Sequence, residues 1–201
     1  MCLLLETIKV RQNKLLNIEF HNERVNFSRR TLFNVTDTWD LKELIALPEL
    51  DNEFVYRCRF LYAESVNVIE FLPYVRRKIV RLFMVFADDL DYSFKFSDRT
   101  KLEELKKKTA PDPDSDILII KNGVITDTSF ANIAFFDGNH WFTPASPLLK
   151  GTKRAYYIRN RILAEKEITP ADLSNYQKAR LINAMLDLKV GDDIRIEDIC
   201  L

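Results

Sequence analysis

Residues 121–154, KNGVITDTSFANIAFFDGNHWFTPASPLLKGTKR, hold three of the chain's four glycines, Gly123, Gly138 and Gly151, each at a structural corner. Asn122-Gly123 and Asp137-Gly138 fall between the apolar runs DILII, VIT, IAFF and HWF. Such pairs favour the positive φ angles of tight hairpin turns, so the stretch predicts a β meander. Gly151 instead leads into TKRAYYIRNRILAEKE, whose apolar residues recur at helical spacing. Backbone N–H groups at such a helix start lack intrahelical acceptors and can hold an anion such as phosphate. Within the meander, Asp127, Thr128, Ser129 and Asn132 interrupt an apolar ladder. Polar side chains inside strands cost free energy unless paired, so this cluster is either a hydrogen-bonded brace or a ligand site.

Outward from the meander, LLETIKV predicts a first strand, and HNERVNFSRRTLF a helix with Arg24 near its front. DLKELIAL predicts a second helix. FVYRCRFLYA, VNVIEFLPY and IVRLFMVFA then have strand length and are rich in β-branched and aromatic residues. The first half therefore reads as an antiparallel sheet with helices on one face. Residues 88–98 break the pattern and read as a connector, after which TKLEELKKKTA resumes helical spacing until PDPDSD stops it. Beyond the Gly151 helix, ITPADLSNYQKA predicts a short capped helix, ARLINAMLDL a strand or crossing, and DDIRIEDI a closing strand.

At 201 residues the chain can bury one sizeable core or two compact halves. Thirty basic and thirty acidic side chains cancel, so a nucleic-acid groove or an affinity for an acidic membrane surface is not expected. Small-molecule chemistry is the better expectation. No apolar run approaches the ~20 residues of a bilayer-crossing helix, and Glu6 stands where a signal peptide would stay apolar. A cytoplasmic protein is expected. Cys2, Cys58 and Cys200 are odd in number and widely spaced, which argues against a disulfide scaffold or a zinc site. His21 and His140 are too few for a histidine-rich metal centre and take no role on sequence alone.

The order and spacing of LLETIKV, H-x-x-R at His21–Arg24, K-x-x-D-R at Lys95–Arg99, NGVITDTSFAN, FTP, GTKR and the INAM of Ile182–Met185 resemble the class IV aminotransferase family. These are the pyridoxal-phosphate enzymes of fold type IV. The likeness runs through nearly the whole chain and is nearest the aminodeoxychorismate lyase-like branch. It implies an α+β fold of two subdomains, residues 1–90 an N-terminal α+β half and residues 91–201 a C-terminal α/β half carrying most of the cofactor site. Pyridoxal 5'-phosphate would sit in the cleft between them. The likeness also implies a homodimer and a small-molecule amino substrate.

Carried over residue by residue, Lys95 matches the lysine whose amine bonds the cofactor aldehyde and moves the proton at the substrate α-carbon. Its neighbours Tyr92, Phe94 and Phe96 would bury it partly and favour the neutral amine. On the residues alone, Lys95 also fits a solvated strand lysine. Asp127 matches the carboxylate beside the ring nitrogen, where most of the family carries glutamate, and on the residues alone it fits a hairpin brace. Backbone N–H groups of Thr152 and Lys153, with the Thr152 hydroxyl, would face the phosphate, Lys153 standing where relatives often have threonine. Arg24 matches the arginine that grips the phosphate from the other half, against a reading as a solvated helix arginine like Arg29 or Arg30. Asn183 and Ala184 match the loop lining phosphate and substrate carboxylate, against a satisfied polar residue in a core strand. Arg57 and Arg59 alternate onto one sheet face and offer a substrate-carboxylate contact or a solvated face.

The favoured activity is that of an aminodeoxychorismate lyase, in which Lys95 removes the α-proton and pyruvate departs. An aminotransferase acting on branched-chain or D-amino acids begins with the same steps and is its rival. A third expectation is a non-catalytic scaffold relative, motivated by Asp127 and by a chain that starts almost at LLETIKV, without the aspartate-arginine-glycine leader of longer relatives.

Overall fold

The computed structural model describes residues 2–201 and divides into two compact units. The first runs through Arg76 and regains Phe94–Asp98. Its sheet begins with β1 (Leu4–Arg11) and β2 (Lys14–Leu15), joined by a two-residue turn in which Gln12 and Asn13 take φ of 50° and 53°. Helix α1 (Ile18–Phe33) follows, entered through Asn17 and left through Asn34, both left-handed. Asparagine tolerates that conformation because its short polar side chain bonds locally. The expected second helix is a single turn, α2 (Leu41–Leu44), capped by the Asp40 carboxylate accepting from Lys42 N at 3.0 Å. Strands β3 (Val55–Tyr62) and β4 (Val66–Pro73) complete an antiparallel sheet in the order β2-β1-β3-β4.

Along β1 burial alternates, so Leu4, Glu6, Ile8 and Val10 face inward. Leu4, Ile8, Val10, Cys58, Phe60 and Tyr62 from the sheet meet Ile18 and Val25 of α1 and Leu41 of α2 in one core. Each fully buried Leu, Ile or Val contributes about 1.5–3 kcal/mol. The segment 94–98 joins this core: Phe96 bridges Leu4, Leu5 N donates to Lys95 O, and Ser97 N donates to Leu3 O, both at 2.9 Å. Phe94 stacks on Phe27 with centroids 5.9 Å apart.

The second unit comprises Arg77–Ser93 and Arg99–Leu201. Its elements are β5 (Arg81–Phe86), α3 (Thr100–Thr109), β6 (Ser115–Lys121), β7 (Val124–Thr128), β8 (Asn132–Phe136), β9 (Trp141–Pro144), α4 (Thr152–Arg159), β10 (Ala164–Lys166), β11 (Lys178–Ile182), β12 (Ile194–Arg195) and β13 (Ile199–Cys200). Strands run in the order β10-β9-β8-β7-β6-β5-β13, with β11 pairing β8 and β12. The predicted meander is β6 to β9, antiparallel throughout. At its first corner Asn122 and Gly123 take φ of 52° and 79°; at the second Gly138 takes 109° while the Asp137 carboxylate accepts from Asn139 N and His140 N. DILII becomes β6, a central strand buried on both faces.

Three expectations change. Strand β5 does not extend the first sheet; it pairs in parallel with β6, and Leu82 enters the second unit's core. A single boundary at residue 90 therefore gives way to an exchange, in which 77–93 belong to the second unit and 94–98 to the first. Helix α4 stops at Arg159 rather than running through AEKE. Arg161 turns left-handed at φ 57°, Ile162 N and Leu163 N both bond Tyr157 O, and Ala164–Lys166 pairs beside β9. Strand pairing overrides helical propensity there. The closing strand is likewise split, β12 pairing β11 and β13 pairing β5.

Candidate functional site

The β7–β8 hairpin closes over four residues. Thr128 N and Oγ1 both donate to Ala131 O, at 2.9 and 3.0 Å, and Asp127 and Asn132 face each other across its only paired position. Asp127 is 4% exposed. Asn132 Nδ2 donates to its Oδ1 at 2.7 Å and Leu149 N to its Oδ2 at 2.8 Å. Burial outweighs these donors and the nearby Arg154 charge, pushing the carboxyl up to about 6. With a further backbone hydrogen bond from Leu148, three of the roughly four accepting sites of the carboxylate are used, so capacity remains for one further N–H. Asn132 Nδ2 also donates to Leu149 O at 2.8 Å, locking the loop that feeds α4. At Gly151 a Cβ would lie 1.9 Å from Asn132 Oδ1, so only glycine lets the helix start approach this pair. Thr152 and Lys153 are buried at that start.

Asn183 belongs to the same unit. Its Oδ1 accepts from Met185 N and Leu186 N, both at 2.9 Å, and its Nδ2 donates to Phe130 O, the tip of the hairpin turn, at 3.3 Å. The side chain thus shapes the turn carrying Ala184 and ties it to the loop between Asp127 and Asn132. Arg99 Nη2 holds the same loop through Ser129 O at 2.6 Å.

In the first unit, Lys95 is half-buried and its backbone is fixed to β1. Arg24 is no solvated arginine: its side chain is 13% exposed, and Nε and Nη2 grip Glu6 Oε1 and Oε2 at 2.8 and 2.5 Å. His21 Nδ1 lies 2.5 Å from Glu6 Oε2. Burial would raise the Glu6 carboxyl, yet the Arg24 charge and the hydrogen bonds from His21 and Arg24 prevail and bring it down to about 2. His21 is lowered, first by burial and then by the charges of Arg24 and Lys95, against the pull of Glu6. Arg24 and Lys95 are therefore both electrostatic neighbours of one buried imidazole. Arg59 Nη1 pairs with Glu70 Oε2 at 2.7 Å on the opposite sheet face, which Arg57 shares. His140 is an exposed turn residue. Among the described residues, no cluster of His, Cys, Asp and Glu is arranged for a metal ion, and no helix is long and apolar enough to cross a membrane.

The sequence profile described as Amino-transferase class IV matches residues 99–189. An uncharacterized protein of Haemophilus influenzae is 37% identical over 187 residues, covering 90% of this chain and 97% of that protein. The crystal structure of a candidate 4-amino-4-deoxychorismate lyase from Haemophilus somnus is 36% identical with a TM-score of 0.84, covering 92% of this chain and 97% of that one. The chain belongs to the class IV aminotransferase family. A candidate amino-acid aminotransferase from Mesorhizobium loti, 19% identical with a TM-score of 0.75, shares the fold over 100% of both chains. So does a hypothetical aminotransferase from Mycobacterium tuberculosis, solved in a PLP-bound form: 15% identity, a TM-score of 0.72, and coverage of 96% of this chain and 80% of that one.

As a class IV aminotransferase-family enzyme with a mixed helix and sheet fold, the chain matches the fold class expected from its motifs. Within the two units, three residues that contact expected site residues were missed by motif reading. Leu149 contributes only its backbone N–H, which no side-chain pattern reveals. Asp187 takes its partners, Lys153 and Tyr157, from about 30 residues upstream in the chain. Glu6 carried a signal: period two along LLETIKV places it between Leu4 and Ile8 on the buried face, where an acid demands a cationic partner.

Proposed function

We propose that the protein is a cytoplasmic pyridoxal-phosphate-dependent lyase of the aminodeoxychorismate lyase type, acting as a homodimer. The observation that carries the cofactor reading is Asp127, a buried carboxyl raised to about 6 with accepting capacity to spare. A protonated pyridine nitrogen is the kind of cationic donor that such a group favours. The donor set fits the rest of the cofactor: Thr152 and Lys153 would offer backbone N–H groups to its phosphate, Arg24 a guanidinium, and Asn183 with Ala184 the adjoining turn.

Pyridoxal phosphate supplies, when bound, an aldehyde for an amine and a ring that withdraws electrons. Lys95 takes up the proton from the substrate α-carbon and can return it, which requires its amine to be neutral for part of the time. Asp127 holds a proton at the ring nitrogen. Asn132 and Leu149 N keep that carboxylate oriented. Arg24, fixed by Glu6, binds phosphate oxygens. The choice of lyase over aminotransferase is supported by the 36%-identical Haemophilus somnus structure, described as a candidate 4-amino-4-deoxychorismate lyase.

The test is direct. Purified protein supplied with pyridoxal phosphate and 4-amino-4-deoxychorismate is expected to release pyruvate and an aromatic amine, and Lys95→Ala to abolish that release. Keto-acid production from amino acids without pyruvate elimination would replace the lyase with an aminotransferase. Light scattering is expected to give twice the chain mass.

A further inference from the structure

Lys153 sits in the first turn of α4, yet its side chain is 8% exposed and its ammonium donates to Asp187 Oδ2 at 3.2 Å. The same ammonium lies 5.4 and 5.5 Å from the ring centroids of Tyr156 and Tyr157. Tyr157, one helical turn further on, donates its hydroxyl to Asp187 Oδ1 and accepts from Leu188 N at 2.9 Å. Two residues on one face of α4 therefore hold both oxygens of a single carboxylate. That carboxylate follows directly on the turn that Asn183 closes through Met185 N and Leu186 N.

We infer that Lys153, Tyr157 and Asp187 form a pin that fixes the Asn183–Leu186 turn to the first turn of α4 and so sets the phosphate affinity of the site, a positioning role resting on the cofactor reading above. The Lys153 ammonium is directed into this pin, and the ligand role proposed for Lys153 rests on its backbone N–H. A threonine at this position would lack the reach to Asp187. Stability alone does not account for the arrangement, because replacing a buried ion pair by apolar side chains is often neutral.

The experiment compares pyridoxal phosphate with pyridoxal, which lacks the phosphate. Both are titrated into wild type, Lys153→Met, Tyr157→Phe and the Lys153→Met/Asp187→Asn double variant, followed by near-ultraviolet absorbance, with urea unfolding of the ligand-free proteins alongside. The expected result is a roughly tenfold loss of pyridoxal phosphate affinity, the weight of one charged hydrogen bond, with pyridoxal affinity nearly unchanged; the unfolding midpoint falls in Lys153→Met, which leaves the Asp187 carboxylate without its cation, and recovers in the double variant. The double variant is expected to lose no more than the worse single change, since both cut one pin. Variants that weaken both ligands equally, or that keep the wild-type preference for pyridoxal phosphate, overturn the pin and leave the cofactor reading standing. A wild type with no such preference overturns both. Should Lys153→Met fail to fold, Tyr157→Phe, which deletes a single hydroxyl, carries the same comparison.

Discussion

Two buried carboxyls of this chain have opposite fates, and the difference lies in their partners. Glu6 is fully buried but meets the Arg24 guanidinium and the His21 ring, so it falls from 4.5 to about 2. Its stabilising contribution is present above its unfolded value near 4.5 and is lost as pH falls through about 2. Glu6→Gln is expected to cost about 3 kcal/mol at neutral pH, because a charge is left without its partner. Urea unfolding as a function of pH checks this, and the gap from wild type should close between pH 4.5 and 2. Asp127 meets neutral donors and rises from 3.8 to about 6, so its contribution in the ligand-free protein has the reverse sign, present below 3.8 and lost as pH rises through 6. An adjacent cation would restore the ionised form. Asp127→Asn is accordingly expected to lower kcat on the order of 10²-fold, measured as pyruvate release. An undiminished kcat would remove Asp127 from the chemistry and leave it as a brace.

At the scale of elements, two glycines illustrate two different demands. Gly123 takes φ 79° and has open space for 4 Å around the point where a Cβ would stand, so its requirement is conformational only. Gly151 has ordinary backbone angles at φ −70° and ψ 143°, but a Cβ there meets Asn132 Oδ1 at 1.9 Å. Gly123→Ala is expected to cost about 1–2 kcal/mol and to leave pyridoxal phosphate uptake unchanged. Gly151→Ala is expected to cost about 1–3 kcal/mol and to impair uptake as well. Thermal melts with cofactor titration separate the two. The meander was legible because Asn122-Gly123 and Asp137-Gly138 encode their turns locally. The partner of β5 was not, since the pattern IVRLFMVFA fixes a strand but not the sheet it joins. The end of α4 was hidden for a related reason: helical spacing continues through ILAEKE, and only pairing with β9 converts Ala164–Lys166 to strand. In the site, motif spacing pointed to the hairpin and the Gly151 corner, while the Glu6 anchor of Arg24 became plain only once β1 and α1 were packed together.

For the molecule as a whole, each unit has its own core and its own share of the expected site residues. Arg24 and Lys95 lie in the first; Asp127, Thr152, Lys153, Asn183 and Ala184 lie in the second. The return of Phe94–Asp98 to the first unit explains how a lysine from the middle of the chain comes to sit beside β1, in a segment held by Leu3, Leu4 and Leu5. Every functional step proposed for the chain depends on the amine in that segment. The measurement that tests it most directly is borohydride reduction of protein incubated with pyridoxal phosphate, followed by peptide mass mapping. A yellow protein that loses its colour on reduction and carries the pyridoxyl mass on the peptide containing Lys95 is the predicted result. A protein that stays colourless, or one labelled at another lysine with Lys95 unmodified, would contradict it.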